Sequence, residues 1–197
     1  IERFFSHYCD GVNVGEDGNK IEFVRFTDGS SWGINELKYR ASVRVWHCAN
    51  DTIYGYSDQQ SLIFAGEGDD TIQAGAMGDI MFGDEGADRL FGGMANDYLV
   101  GGIGNDILEG RAGNDAYLFL AGFGMDTIYD NDGGYGGSYD VVKFSDGIEA
   151  IDLVLEHLAN DDLRLSIAGT SDVLTISGSL ASTQEIVRRV RALIQTP

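Results

Sequence analysis

Proline is nearly absent from this chain, with one in 197 residues, and cysteine occurs only twice, as Cys9 and Cys48. Neither thiol has a Cys or His at the short spacing that a zinc site needs. They pair in an oxidising compartment or stay as two free buried thiols, and spacing alone does not choose. Basic residues are scarce as well: 13 Lys and Arg stand against 32 Asp and Glu, a formal net charge of −19. Such a surplus repels nucleic acid and anionic membranes, so cations are the expected partner. No apolar run approaches the ~18 residues of a transmembrane helix, and no basic-then-apolar start reads as a Sec signal. The chain opens on Ile1 without a Met, which reads as a piece of a longer polypeptide.

Catalytic strings are missing too. Gly55-Tyr56-Ser57 lacks the closing glycine of a nucleophile elbow, no HExxH occurs, and His7, His47 and His157 have no evident triad partners. The glycines recur with Asp and not with Lys and Ser or Thr, so no phosphate loop is present. Asp130-Asn131-Asp132-Gly133 starts like an EF-hand loop, but its twelfth position is Val141 and not Glu, so it reads as a turn. No enzymatic activity is expected of this segment.

Glycine is abundant, with 28 residues, and it is periodic. From Ala65 to Leu118 the chain repeats every nine residues without a gap, as AGEGDDTIQ, AGAMGDIMF, GDEGADRLF, GGMANDYLV, GGIGNDILE and GRAGNDAYL. The sixth position is always Asp: Asp70, Asp79, Asp88, Asp97, Asp106 and Asp115. The eighth is always apolar or aromatic: Ile72, Met81, Leu90, Leu99, Leu108 and Tyr117. Weaker units flank the run. Asp51 with Ile53, and Gln60 with Leu62, keep the spacing upstream apart from one extra residue before Ala65. Asp126 with Ile128 continues it downstream after a two-residue insertion.

Two such units make one coil. Glycine at the first, second and fourth positions permits the backbone to turn, and positions seven to nine form a short strand with the eighth residue inward. The fold expected is all-β, a parallel β-roll or β-solenoid. In it, Asp residues eighteen apart lie one rung apart on the same edge. At ~4.8 Å, two carboxylates repel by roughly 3.5 kcal/mol if the effective dielectric is ~20. A Ca²⁺ ion with oxygen ligands at about 2.4 Å fits between them, and turn carbonyls complete its shell. The pairs expected are Asp70 with Asp88, Asp88 with Asp106, Asp79 with Asp97 and Asp97 with Asp115. Asp51 with Asp70 and Asp106 with Asp126 span insertions, giving about four to six ions in all. The carbonyls expected to contribute are those of Gly66, Gly68, Gly75, Met77, Asp84, Gly86, Gly93, Ala95, Gly102, Gly104, Arg111, Gly113 and Gly124. At Gln60 the carboxylate is missing, so an ion beside Asp79 on that side should be weak or absent.

GGIGNDILE resembles the repeat of the RTX, or hemolysin-type, calcium-binding family, glycine-glycine-x-glycine-x-Asp-x-apolar-x. The resemblance implies a parallel β-roll that folds on calcium outside the cell and belongs to a type I-secreted toxin, hydrolase or adhesin. Met77 and Ala95 depart from the pattern at the fourth position, and Asp84 and Arg111 at the second. The stretch from Asp140 shows strand-like runs between turns and resembles the segment that commonly follows such a roll, read as a small antiparallel sheet. Ile21 to Trp32 resembles the closing strands of the same kind of segment, which implies a tandem array.

The organisation expected is therefore an N-terminal flank over 1–47, the roll over 48–130, and a C-terminal flank over 131–197. The last part reads as a helix from the Ser182 to Glu185 capping box, with Ile186, Val187, Val190, Leu193 and Ile194 on one face and Arg188, Arg189 and Arg191 opposite. It would cap the roll's open end or form part of an export signal. A receptor- or glycan-binding block is the alternative function, with Tyr135 and Tyr139 as its aromatic candidates. The outward residues Ile80, Phe82, Tyr98, Val100, Ala116 and Leu118 form an apolar strip expected to be covered by the flanks.

Overall fold

The computed structural model describes residues 23–25, 31–33, 43–45, 49–129, 139–145, 147–160 and 162–177. The expected terminal helix, Cys9 and Cys48, His7 and His47, Tyr135 and the turn at 130–133 lie outside the described residues.

Strands, almost without helix, make up the described chain. One parallel sheet stacks β3 (Val43–Val45), β5 (Leu62–Glu67), β7 (Ile80–Glu85), β9 (Tyr98–Ile103), β11 (Ala116–Phe119) and β13 (Val141–Phe144) in that order. The facing sheet stacks β4 (Thr52–Tyr54), β6 (Thr71–Gln73), β8 (Arg89–Phe91), β10 (Ile107–Glu109) and β12 (Met125–Tyr129), again all parallel. The chain alternates between the two sheets every nine residues, which is the β-roll. Near the N-terminus β1 (Phe23–Arg25) and β2 (Ser31–Gly33) pair antiparallel as a separate two-stranded sheet.

The eighth-position residues form the core. Ile53, Ile72, Leu90, Leu108 and Ile128 stack rung on rung in one sheet, and Ile63, Met81, Leu99 and Tyr117 in the other, each almost wholly buried. A strand of three residues cannot hold itself; the stacked apolar columns supply its stability. Tyr117 is the one polar member, and its hydroxyl accepts from Gly110 N–H at 2.9 Å, as a buried phenol requires. Leu99 sits between Met81 and Tyr117. Leu99→Ala is expected to cost about 2–5 kcal/mol in urea unfolding at fixed saturating calcium. A loss below about 1 kcal/mol would show that these columns do not carry the fold.

Two register assignments differ from the sequence reading. Leu62 pairs with Ile80 and Ile63 with Met81, so Ser61, not Gln60, stands opposite Asp79, and Ile63, not Leu62, points inward. The extra residue therefore lies between Asp51 and Ser61, and the period of nine runs unbroken back to Ser61. Downstream, Val141 to Phe144 is not part of an antiparallel flank: β13 pairs parallel with β11 as a further rung. The antiparallel sheet is made by β14 (Leu153–His157), β15 (Leu163–Ile167) and β16 (Val173–Ser177). β16 in turn pairs parallel with β12, so the flank prolongs both sheets of the roll edge to edge. Phe119, Phe123 and Phe144 close the interior there, with ring centroids 5.0 to 6.5 Å apart. On the outward strip Val100 is buried, while Phe82 is half-buried and stacked on Phe64 at 4.8 Å.

Candidate metal centre

Each turn of the roll ends on a sixth-position Asp, except where Ser61 holds that place, and the parallel register brings these residues into two ladders. On one edge Asp51, Asp70, Asp88, Asp106 and Asp126 follow one another. The N–H of each donates to Oδ1 of the next, at 2.6, 2.8, 2.9 and 2.8 Å. On the other edge the series is Ser61, Asp79, Asp97, Asp115 and Asp140, joined in the same way. All eight predicted aspartates thus occupy ladder positions. Asp140 is a ninth that the sequence reading missed, because twenty-five residues separate it from Asp115 in place of eighteen. A DxV pattern beginning a strand was the only signal for it.

Outside the carboxylates runs a second ladder, of fifth-position side chains. Asn50, Asp69, Asn96, Asn105 and Asn114 each accept a backbone N–H from the following turn. It fixes the spacing of the rungs without using the sixth-position aspartates.

From Asp70 to Asp126 the aspartates are buried, at 1 to 3% exposure. In Asp70, Asp88, Asp106 and Asp126 the second oxygen, Oδ2, is buried without any hydrogen-bond partner. A buried carboxylate oxygen left bare costs several kcal/mol unless something positive meets it. Four in a column are a defect in the bare chain and a ready donor set for a hard cation. Among the described residues no three His, Cys, Asp or Glu side chains converge as a metal site. The donors here are instead two carboxylates from successive rungs with turn carbonyls beside them, the oxygen-only set that calcium takes.

The carbonyls come from turns of tight approach. A Cβ on Gly86 would lie 1.9 Å from the carbonyl oxygen of Gly68, and one on Gly104 1.7 Å from that of Gly86. Gly102 stands in the same relation to Asp84, at 2.0 Å. The predicted carbonyls of Gly68, Asp84 and Gly86 are therefore aligned along the edge. Those of Gly93, Gly104 and Gly124 also accept a backbone N–H, which leaves each a second lone pair.

Burial pushes the carboxyls up: Asp88 to about 7, Asp97 and Asp106 to about 6, Asp126 to about 8, and Asp70 upward as well. Their backbone hydrogen bonds oppose the rise, and neighbouring carboxylates add to it for Asp70, Asp88, Asp97 and Asp126. The unfolded value is ~3.9, so between that pH and about 8 the folded, metal-free roll binds more protons than the unfolded chain. Its stability is then fullest in acid and is lost as pH rises through about 6 to 8. In excess chelator, lowering the pH from 8 to 5.5 should increase the β-sheet circular dichroism. A signal that stays flat or falls would contradict this charge assignment.

Comparison with known families agrees with the geometry. Residues 64–99, 82–117 and 91–124 match the model of the RTX calcium-binding nonapeptide repeat, in 4 copies. No curated protein matches the chain. The stacked nonapeptides over 64–124, which build the middle of the roll and of its two carboxylate ladders, are RTX calcium-binding nonapeptide repeats.

Proposed function

We propose that the chain is a calcium-responsive folding module of a larger type I-secreted protein, unfolded at low cytosolic calcium and folded outside the cell. The observation that carries this reading is the column of buried, unpartnered Oδ2 atoms on Asp70, Asp88, Asp106 and Asp126. Bare, those oxygens oppose folding; bridged by calcium, they would hold successive rungs together.

The magnitudes suit a switch. For a Kd of ~10⁻⁴ M and free calcium about tenfold higher, each site contributes roughly 1.4 kcal/mol, or ~4 kcal/mol over the three intervals of that column. A typical domain's whole stability is about 5–15 kcal/mol. The flanks 1–47 and 131–197 would then serve as caps of the roll, and β13 and β16 do join its sheets. No helix of the described residues is long and apolar enough to cross a membrane. Of the receptor-binding candidates, Tyr139 is a single exposed ring and gives no aromatic cluster among the described residues.

Calorimetric titration of the chelator-treated chain tests the reading. Calcium should bind with a large folding heat and magnesium at equal concentration should not, because the stricter octahedron at about 2.1 Å suits the ladder less well. Equal responses to both ions would contradict a calcium-specific module.

A further inference from the structure

The turns of this roll are of two kinds, and the fourth residue of the unit decides which. Gly68, Gly86, Gly104, Gly113 and Gly124 all take positive φ, between 93° and 156°. At the second position of the same turns φ is also positive, at Gly66, Gly102 and Gly122 but equally at Asp84 (75°) and Arg111 (67°), where a side chain makes it costly. The units whose fourth residue is Met77 or Ala95 do neither. Their second-position residues, Gly75 and Gly93, are glycines free to adopt positive φ, yet they do not. A side chain at the fourth position thus forbids the left-handed step there, and the whole turn takes another path.

That path has a chemical consequence. In these two units alone, the second-position N–H reaches back to the unit's own aspartate: Gly75 N–H donates to Asp79 Oδ2 and Gly93 N–H to Asp97 Oδ2, both at 2.6 Å. The oxygen that is left bare in Asp70, Asp88, Asp106 and Asp126 is therefore already satisfied in Asp79 and Asp97, whereas Asp115, on the same edge as these two, ends a positive-φ turn but has the closed turn of Asp97 beside it.

We propose that calcium loads this roll along one edge only, between the turns ending at Asp70, Asp88, Asp106 and Asp126, and that the turns ending at Asp79 and Asp97 are self-closed and take no ion. This rests on the calcium reading above and narrows it: two intervals expected from sequence, Asp79 with Asp97 and Asp97 with Asp115, are silent. The closed turns hold their edge together without metal, and Met77 and Ala95 are the residues that close them.

Equilibrium dialysis of the full chain against saturating calcium counts the ions. The native chain should hold about three on the described open edge, one for each interval between its four turns. Ala95→Gly should add about one ion, because it opens the turn beside the positive-φ turn of Arg111 and Gly113. Met77→Gly alone should add none, since its neighbours are the closed turn of Asp97 and the Ser61 rung, which carries no carboxylate. The double variant should add about two. A native chain that already holds the additional ions, or glycine variants that leave the count unchanged, would overturn the one-edge assignment while leaving calcium binding intact. A native chain that holds no calcium would overturn both.

Discussion

Gly86→Ala is expected to destabilise the calcium-loaded roll by about 3 kcal/mol, read as a lower urea midpoint at fixed calcium. Two causes add. The residue sits at φ 140°, where any side chain is strained, and its new Cβ would lie 1.9 Å from the Gly68 carbonyl oxygen on the rung below. That contact is with backbone, so no side-chain rotation relieves it, and the rungs must separate at the place where an ion would be held. Gly122→Ala separates the two causes. It also has positive φ, at 86°, but its Cβ would meet nothing within 4 Å, so it should cost only the strain, roughly 1 kcal/mol. Equal losses in the two variants would mean that the rungs are not in the close stacking described.

Asp88→Asn should lower stability by roughly 3 kcal/mol in saturating calcium, the linkage of two sites, because Asp88 lies between Asp70 and Asp106 and serves both intervals. The amide oxygen can still accept the Asp70 N–H that Asp88 Oδ1 takes at 2.8 Å, so the rung itself is preserved. What is lost is the charge and the bare Oδ2. In excess chelator at pH 5.5, where the metal-free roll gains stability, the same substitution should cost much less, since it replaces a carboxyl that burial has pushed up to about 7 and that is largely protonated there. Urea unfolding of both proteins with and without calcium reads the difference. A loss of the same size in both conditions would assign Asp88 a packing role and no ion.

Much of this is legible in the sequence, because a solenoid turns sequence period directly into spatial stacking. Six aspartates in one phase and six apolar residues in another placed both ladders and both core columns. The failures came where the period is broken. Gln60 looked like the damaged sixth position, but the insertion falls earlier and Ser61 holds the rung, its N–H donating to Asp79 as an aspartate's would. Asp140 was hidden behind a long insertion and reads locally as the start of an ordinary strand. The two classes of turn were hidden for another reason. Met77, Ala95, Asp84 and Arg111 all depart from glycine, and composition ranks them alike. Only backbone geometry shows that the second position tolerates a side chain at positive φ while the fourth does not.

The antiparallel character of the C-terminal segment followed from its turns, whereas its attachment did not. Nothing in the local pattern of Val173–Ser177 says that it pairs parallel with β12, since parallel partners are chosen by packing across the sheet edge. That attachment lets the flank cover a strand edge that would otherwise be open at the end of the roll.

Far-ultraviolet circular dichroism of the full chain at neutral pH, in excess chelator and then on return of calcium, decides whether calcium in the turns folds the chain. The β-sheet spectrum is expected to be lost in chelator and to recover cooperatively near ~10⁻⁴ M calcium. A chain that keeps its β-sheet spectrum unchanged in excess chelator would contradict it.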